Sequence, residues 1–257
     1  MNKNIDKLIE KIEGKPSISD SFIQQTENKE LKPLDPKDYP QSWIKIHFKT
    51  YPRLPKIYLD NSSIKEGNAF ALLKKRRSER KFTGEKISLQ DLTYLLYGSA
   101  GITLLGESLD TSKRPYPSAG ARYPLEIYPI ILNCDNIPKG LYHYNVKENV
   151  LELLWKKNID KQLLHIFGGE KWLTKAAIIF IITGVVNRTR VKYGDRGIKY
   201  VLIEAGHLAQ NICLLATECN LGTCPLGGYI DESIKKLLDI ELQKEYPFYI
   251  LALGKYE

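Results

Sequence analysis

Two guanidinium forks and a hydroxyl fall within three residues in Arg76-Arg77-Ser78-Glu79-Arg80. That set grips a phosphate group bidentately. It equally suits a basic helix end that complements the helix dipole, and the residues alone leave both readings standing. Lys192-Tyr193-Gly194-Asp195-Arg196 sets a lysine beside a tyrosine, a proton acceptor or donor where burial lowers the lysine pKa. A solvated loop is the plainer reading. Pro117-Ser118-Ala119-Gly120-Ala121 offers small side chains and free amides, so a flat ring can approach the main chain. Pro225-Leu226-Gly227-Gly228 has the same character. Ordinary turns account for both as well. Gln210 and Asn211, beside His207, read either as helix-interface polar groups or as ring-binding donors.

Other chemistries lack their motifs. No G-x-G-x-x-G and no Walker lysine occurs, which disfavours Rossmann and P-loop nucleotide sites. His47, His143 and His165 are scattered and the four cysteines form no CxxC, so no metal site is predicted. The thiols read as buried and free, as in a reducing compartment. The net charge is +8, from 38 basic against 30 acidic side chains. These are spread along the chain, which favours a solvated basic surface over a nucleic-acid footprint. The N-terminus shows no signal-peptide core. The longest apolar run, 176–186, falls far short of the ~20 residues that span a bilayer. A soluble, cytoplasmic protein is expected, without a membrane or nucleic-acid partner.

Periodicity places these groups. Ile5, Leu8, Ile9 and Ile12 have helical spacing, and Ser17-Ile-Ser-Asp20 can open a second short helix. Prolines recur from 31 to 59 among Trp43, Ile46, Phe48, Tyr51 and Leu54, so this stretch reads as an extended arm lying on a surface. Helices are predicted over 68–77, from Ser88 as N-cap to Ala100, over 159–173, and along the stripe Val201, Ala205, Leu208, Ile212, Ala216. Three short strands at 125–132, 140–145 and 150–155 read as an antiparallel meander. The run 176–186 reads as a central strand buried on both faces, and 249–253 as a final strand. Hairpins come first and alternation is loose, so α+β is expected rather than a doubly wound sheet.

Taken in order, six pieces resemble one family. They are Arg76-Arg77-Ser78-x-Arg80-x-Phe82, Pro117-Ser118-Ala119-Gly120-Ala121-x-Tyr123-Pro124, Gly140-Leu-Tyr-His-Tyr144, Lys192-Tyr-Gly-Asp-Arg196, Glu204-Ala-Gly-His-x-x-Gln-Asn211 and Leu221-Gly-Thr-Cys-Pro-Leu-Gly-Gly228. In register, over about 66–254, they look like the SagB-type dehydrogenases of the FMN-dependent nitroreductase superfamily. Phe48-Lys-Thr-Tyr-Pro-Arg-Leu-Pro-Lys-Ile57 resembles the segment that precedes the domain in stand-alone members.

The resemblance implies an N-terminal arm, 1–65, followed by an FMN-binding domain, 66–257. It implies a nitroreductase-like sandwich: a central, mostly antiparallel sheet flanked by helices, in a homodimer with FMN at the interface. By similarity Arg76, Arg77 and Ser78 belong at the flavin phosphate and ribityl chain, and Arg80 at the pyrimidine edge. Asn211 falls in the same pattern. Leu226, Gly227 and Gly228 fall where an amide approaches flavin N5, Pro117 to Gly120 line the ring from the neighbouring subunit, and Lys255 adds charge at the phosphate. Lys192 and Tyr193 match a pair implicated in proton transfer when azoline rings of peptides are oxidised to azoles. Three functions stay open: that oxidation, an NAD(P)H-fed nitro or enone reduction, and a non-catalytic flavin scaffold in a modification complex. The substrate, peptide or small molecule, is not fixed by the motifs.

Overall fold

The computed structural model describes residues 17–30, 67–108, 111–156, 159–240 and 245–257. The isoleucine-rich run forms its central strand, β4 (Ile178–Val185). β1 (Leu125–Ile131) pairs with it on one side, Ile130 opposite Ile179, and β6 (Glu245–Gly254) on the other, Phe180 opposite Leu251. β2 (Gly140–Asn145) and β3 (Val150–Trp155) extend beyond β1 as the expected meander. β5 (Gly222–Leu226) lies outside β6, giving the order β3-β2-β1-β4-β6-β5 with every pairing antiparallel.

An antiparallel strand commonly alternates apolar with polar residues, because one face meets water. β4 does not alternate, because helices cover both faces. Ile178, Phe180 and Ile182 enter a core with Leu92 and Leu95 of α3 (Leu89–Ala100) and Val201 and Leu208 of α6 (Gly197–Glu218). Ile179 and Ile181 enter a second core with Leu163 of α4 (Asp160–Ile166) and Ile234 of α7 (Asp231–Leu238). The result is the expected α+β sandwich.

Two helix starts follow the expected capping chemistry. Ser88 Oγ accepts from Asp91 N–H at 2.9 Å, and α1 (Ile18–Thr26) opens on a capping box of Ser17 and Asp20. α1 is tied to the domain. Asp20 meets Arg190 at 3.5 Å in a buried pair, Glu27 meets Lys235 at 3.1 Å, and Asn28 N–H donates to Asp231 at 2.8 Å. The expected helix at 5–12, the proline-rich arm and the boundary at 65 lie outside the described residues.

Several elements differ from expectation. The 159–173 helix breaks after Ile166, where Gly168 and Gly169 take positive φ, and resumes as a 3-10 turn, Lys171–Lys175. The predicted loop at 192–196 is instead the end of α5 (Asn187–Tyr193) and a 3-10 turn, Gly194–Arg196. Pro225 and Leu226, read as a turn, belong to β5; a proline is tolerated there because β5 ends the sheet order. α2 (Asn68–Lys75) stops two residues early, and β6 runs longer than 249–253. α7 was not expected, although Ile234, Leu237 and Leu238 carry its periodicity and acids and lysines mark its two ends. Among the described residues no helix is long and apolar enough to cross a membrane.

Candidate active site

The basic run is held at the sheet edge. The chain leaves α2 at Arg76 and joins β5 at once: Ser78 bridges Thr223, and Glu79 N–H donates to Thr223 O at 2.9 Å. From the far side Thr83 N–H donates to Lys255 O at 2.9 Å, and Phe82 pairs with Tyr256. Gly222 makes this approach possible, since a Cβ there would stand 2.8 Å from Glu79 Cβ. Arg76 is half-buried, and its cation opposes the burial that pushes the Cys213 thiol up in α6. Arg80 acts likewise on Cys224 and lines, with Leu226 and Gly228, an open cleft of about 680 Å³. A Cβ on Gly227 or Gly228 would meet nothing within 4 Å, so the main chain there is open to a ring. Arg77 turns away, donating to Lys74 O at 2.8 Å and Arg76 O at 2.7 Å, where it closes the helix end. Lys255 Nζ lies 3.2 Å from Glu85.

A second cluster gathers the remaining groups. Gly120, at φ 64°, packs on α5 so closely that a Cβ would lie 2.9 Å from both Lys192 Nζ and Tyr193 OH. Ala121 and Tyr123 also take positive φ, a conformation costing about 1–3 kcal/mol at each non-glycine residue. The loop is pinned nonetheless. Ser118 Oγ accepts from Tyr123 N–H at 2.8 Å, Tyr123 OH accepts from Arg114 N–H at 3.1 Å, and the Arg114 guanidinium covers the Tyr123 ring at 4.8 Å. Arg122 Nε donates to Arg188 O at 3.1 Å, and Arg188 donates to Tyr123 O at 3.3 Å, stitching the loop to the start of α5. Gly194, at φ 57°, ends α5 directly after Tyr193. Lys192 is exposed, so this chain alone does not supply the burial expected around it.

α6 connects the clusters. Ser118, Arg114 and Ala119 favour the charged form of Glu204 near one end of the helix, and Arg76 that of Cys213 further along. Nine residues separate these stations, about 13.5 Å of helix. Asn211 lies half-buried between them. The exposed stripe of α6 carries Leu202, Ile203, Gly206, His207 and Gln210, with Ile203 55% exposed.

Glu204 was assigned no role from sequence. The available signal is an acid on the buried side of an apolar stripe, between Val201 and Leu208. It is 2% exposed, and burial pushes its carboxyl up to about 7 against the pull of Ser118, Arg114 and Ala119. Between the ordinary carboxylate range and pH 7 the folded chain therefore keeps a proton that the unfolded chain releases. Stability should fall as pH rises through that window and level off above it. Denaturant titrations from pH 5 to 8 should show on the order of 3 kcal/mol of pH dependence that Glu204→Gln lacks. Identical profiles for the two proteins would refute the assignment.

The site thus sets a basic edge beside an open glycine pair and a small-residue loop on a lysine–tyrosine pair, on a six-stranded antiparallel sheet between helical layers. The chain belongs to the Nitroreductase family, whose model matches residues 73–255. It is 33% identical over 184 residues, 72% of this chain and 89% of the relative, to a Methanocaldococcus jannaschii protein carrying a nitroreductase name, MJ1384. It is 29% identical over 147 residues to the microcin B17-processing protein McbC of Escherichia coli, spanning 55% of this chain and about half (54%) of that relative. Among solved structures, a protein of Anabaena variabilis described as a nitroreductase superposes with TM-score 0.63 at 27% identity, covering 74% of this chain and 38% of that one. A chain of the Escherichia coli microcin synthetase McbBCD complex, with truncated pro-MccB17 bound, superposes with TM-score 0.71. It covers 100% of this chain and 95% of its own, and at 20% identity it shares the fold.

Proposed function

We propose that the protein is a homodimeric, FMN-dependent oxidoreductase of SagB type. The reading rests on one observation: the Arg80–Gly228 cleft and the Gly120–Lys192–Tyr193 cluster are both open in a single chain, and α6 keeps an exposed apolar stripe. In a two-fold dimer the half-site of one chain can complete that of the other.

The residues present suit FMN. Arg76 and Ser78 hold the phosphate and ribityl chain at the sheet edge, and Arg80 balances charge at the ring. Gly227 and Gly228 leave room for a main-chain amide at the ring, and residues 117–120 of the partner line it. FMN, when bound, supplies hydride exchange at N5. Lys192 and Tyr193 take the proton released from the substrate carbon. Arg77 and Lys255 bring charge to the same edge, but each already has a partner within the chain.

The substrate we infer is an azoline ring in a peptide, a reading supported by the likeness to the microcin B17-processing protein. The likeness to MJ1384 supports a second reading, an NAD(P)H-fed reductase of nitro or enone compounds. The purified protein should be yellow or take up FMN. Arg76→Ala should weaken FMN binding by roughly 1.5–3 kcal/mol, as for a charged hydrogen bond, and Arg77→Ala by less. Flavin fluorescence titration measures both, and a colourless protein that takes up no FMN would sink the proposal.

A further inference from the structure

We propose that α1, which precedes the family-matched residues 73–255, is a clamp on the turn that carries Lys192 and Tyr193, with Arg190 and Asp195 as its positioning residues. This rests on reading Lys192 and Tyr193 as the reacting pair.

The clamp brackets the pair in sequence. Just before Lys192, Arg190 Nη1 meets Asp20 Oδ2 of α1 at 3.5 Å, with both side chains only 5% exposed. Just after Tyr193, Asp195 Oδ1 accepts from Ser19 Oγ at 2.9 Å. The two brackets are linked, since Arg190 Nη2 lies 3.9 Å from the same Asp195 oxygen. Arg190 Nη1 also donates to Asn187 Oδ1 at 3.3 Å, which ties in the first residue of α5. Ile23 of α1 adds an apolar seat against Val186 and Ile198, which flank α5 and the turn that follows it.

α5 does not hold this geometry by itself. Its 7 residues fall short of the ~12–15 at which an isolated helix is even marginal in water. Val191 and Lys192 lie exposed, so no core fixes them. The bonds of Arg122 and Arg188 to the neighbouring loop restrain only the first turn. Gly194 ends the helix at φ 57° and ψ −148°, a conformation that glycine adopts freely, and a Cβ there would meet nothing within 4 Å. The Tyr193 ring meets Tyr200 of α6 edge-on at 4.9 Å, which seats the ring but not the lysine. The direction of Lys192 Nζ and Tyr193 OH onto Gly120 therefore depends on the contacts that bracket the turn. The residue types fit that role better than plain covering. Replacing a buried ion pair by packed apolar residues is often neutral or stabilising, so stability alone does not call for the Asp20–Arg190 pair. A guanidinium presents its donors in a rigid planar fork, which fixes direction as well as contact.

Hydrogen exchange and turnover of the full chain test the clamp together. Asp20→Asn and Ser19→Ala should each speed exchange of a peptide covering 187–197 several-fold, while peptides from β4 stay unchanged. Ser19→Ala leaves the ion pair in place and decides the matter if Asp20→Asn does not fold. In azoline oxidation either substitution should lower kcat about tenfold, as when a reacting group shifts by a fraction of an ångström, with KM and flavin affinity unchanged. Made in a Lys192→Met background it should cost nothing further, because a residue that acts through the lysine has no effect once the lysine is gone. An equal loss in both backgrounds marks a merely structural contact and overturns the positioning role. Unaltered exchange at 187–197 in both variants overturns the clamp itself. If the native chain oxidises no azoline, or Lys192→Met leaves that oxidation intact, the reading of the pair fails, while accelerated exchange still establishes that α1 holds the turn.

Discussion

Lys192→Met is expected to slow azoline oxidation by about 10²–10⁴-fold while leaving reduction of a simple nitro compound almost unchanged. Oxidising a ring carbon removes a proton as well as a hydride, and the proton needs an acceptor held at the reacting carbon. Lys192 Nζ and Tyr193 OH converge on the same face of Gly120, and the proposal assigns them to take it. Methionine keeps the length and apolar stem of the side chain without the amine, so packing on the loop survives. A nitro group takes hydride from the reduced cofactor and its protons from water, which bypasses the lysine. The loss corresponds to about 3–5 kcal/mol of transition-state stabilisation. If both reactions fall together, Lys192 acts in binding or folding. If neither falls, the pair is not the base. Tyr193→Phe should give a smaller loss in the same reaction only.

How much of this was legible in the chain depended on where the stabilising contacts lie. β4 announced itself because a strand covered on both faces needs no polar residues, and the Ser17 and Ser88 helix starts because capping is local chemistry. α5 was hidden: 187–193 has no long apolar period. It is held instead by Arg188 reaching Tyr123 and by Arg190 buried against Asp20, contacts more than sixty residues away in sequence. β5 was masked by Pro225, whose missing donor matters little at the end of the sheet order.

The candidate site was legible as residues but not as an arrangement. Six motifs in register named nearly all the groups, yet only the fold shows Gly120 resting on Lys192 and Tyr193, or Ser78 bridging Thr223. Arg77 illustrates the gap. Its position in the basic run matches a phosphate ligand, whereas its guanidinium satisfies the last carbonyls of α2, which the sequence also allowed. Glu204 was overlooked because the burial of an acid inside an apolar stripe is known only once α6 is packed on the sheet.

The composite site is tested most directly by mixing two inactive chains. Arg76→Glu should abolish cofactor binding in its own half-site, and Lys192→Met should remove the base. If each site joins the 76–80 edge of one chain to the 117–120 and 192–193 cluster of another, a mixed dimer holds one wholly intact site and one doubly altered site. Random reassociation makes about half the dimers mixed, so activity should return to roughly a quarter of the native level. Flavin content should stay constant while activity rises, because each Arg76 edge keeps or loses the cofactor whichever chain completes its site. Mixtures no more active than the two parents, under conditions where subunit exchange is demonstrated, would place both halves of the site in one chain and contradict the account.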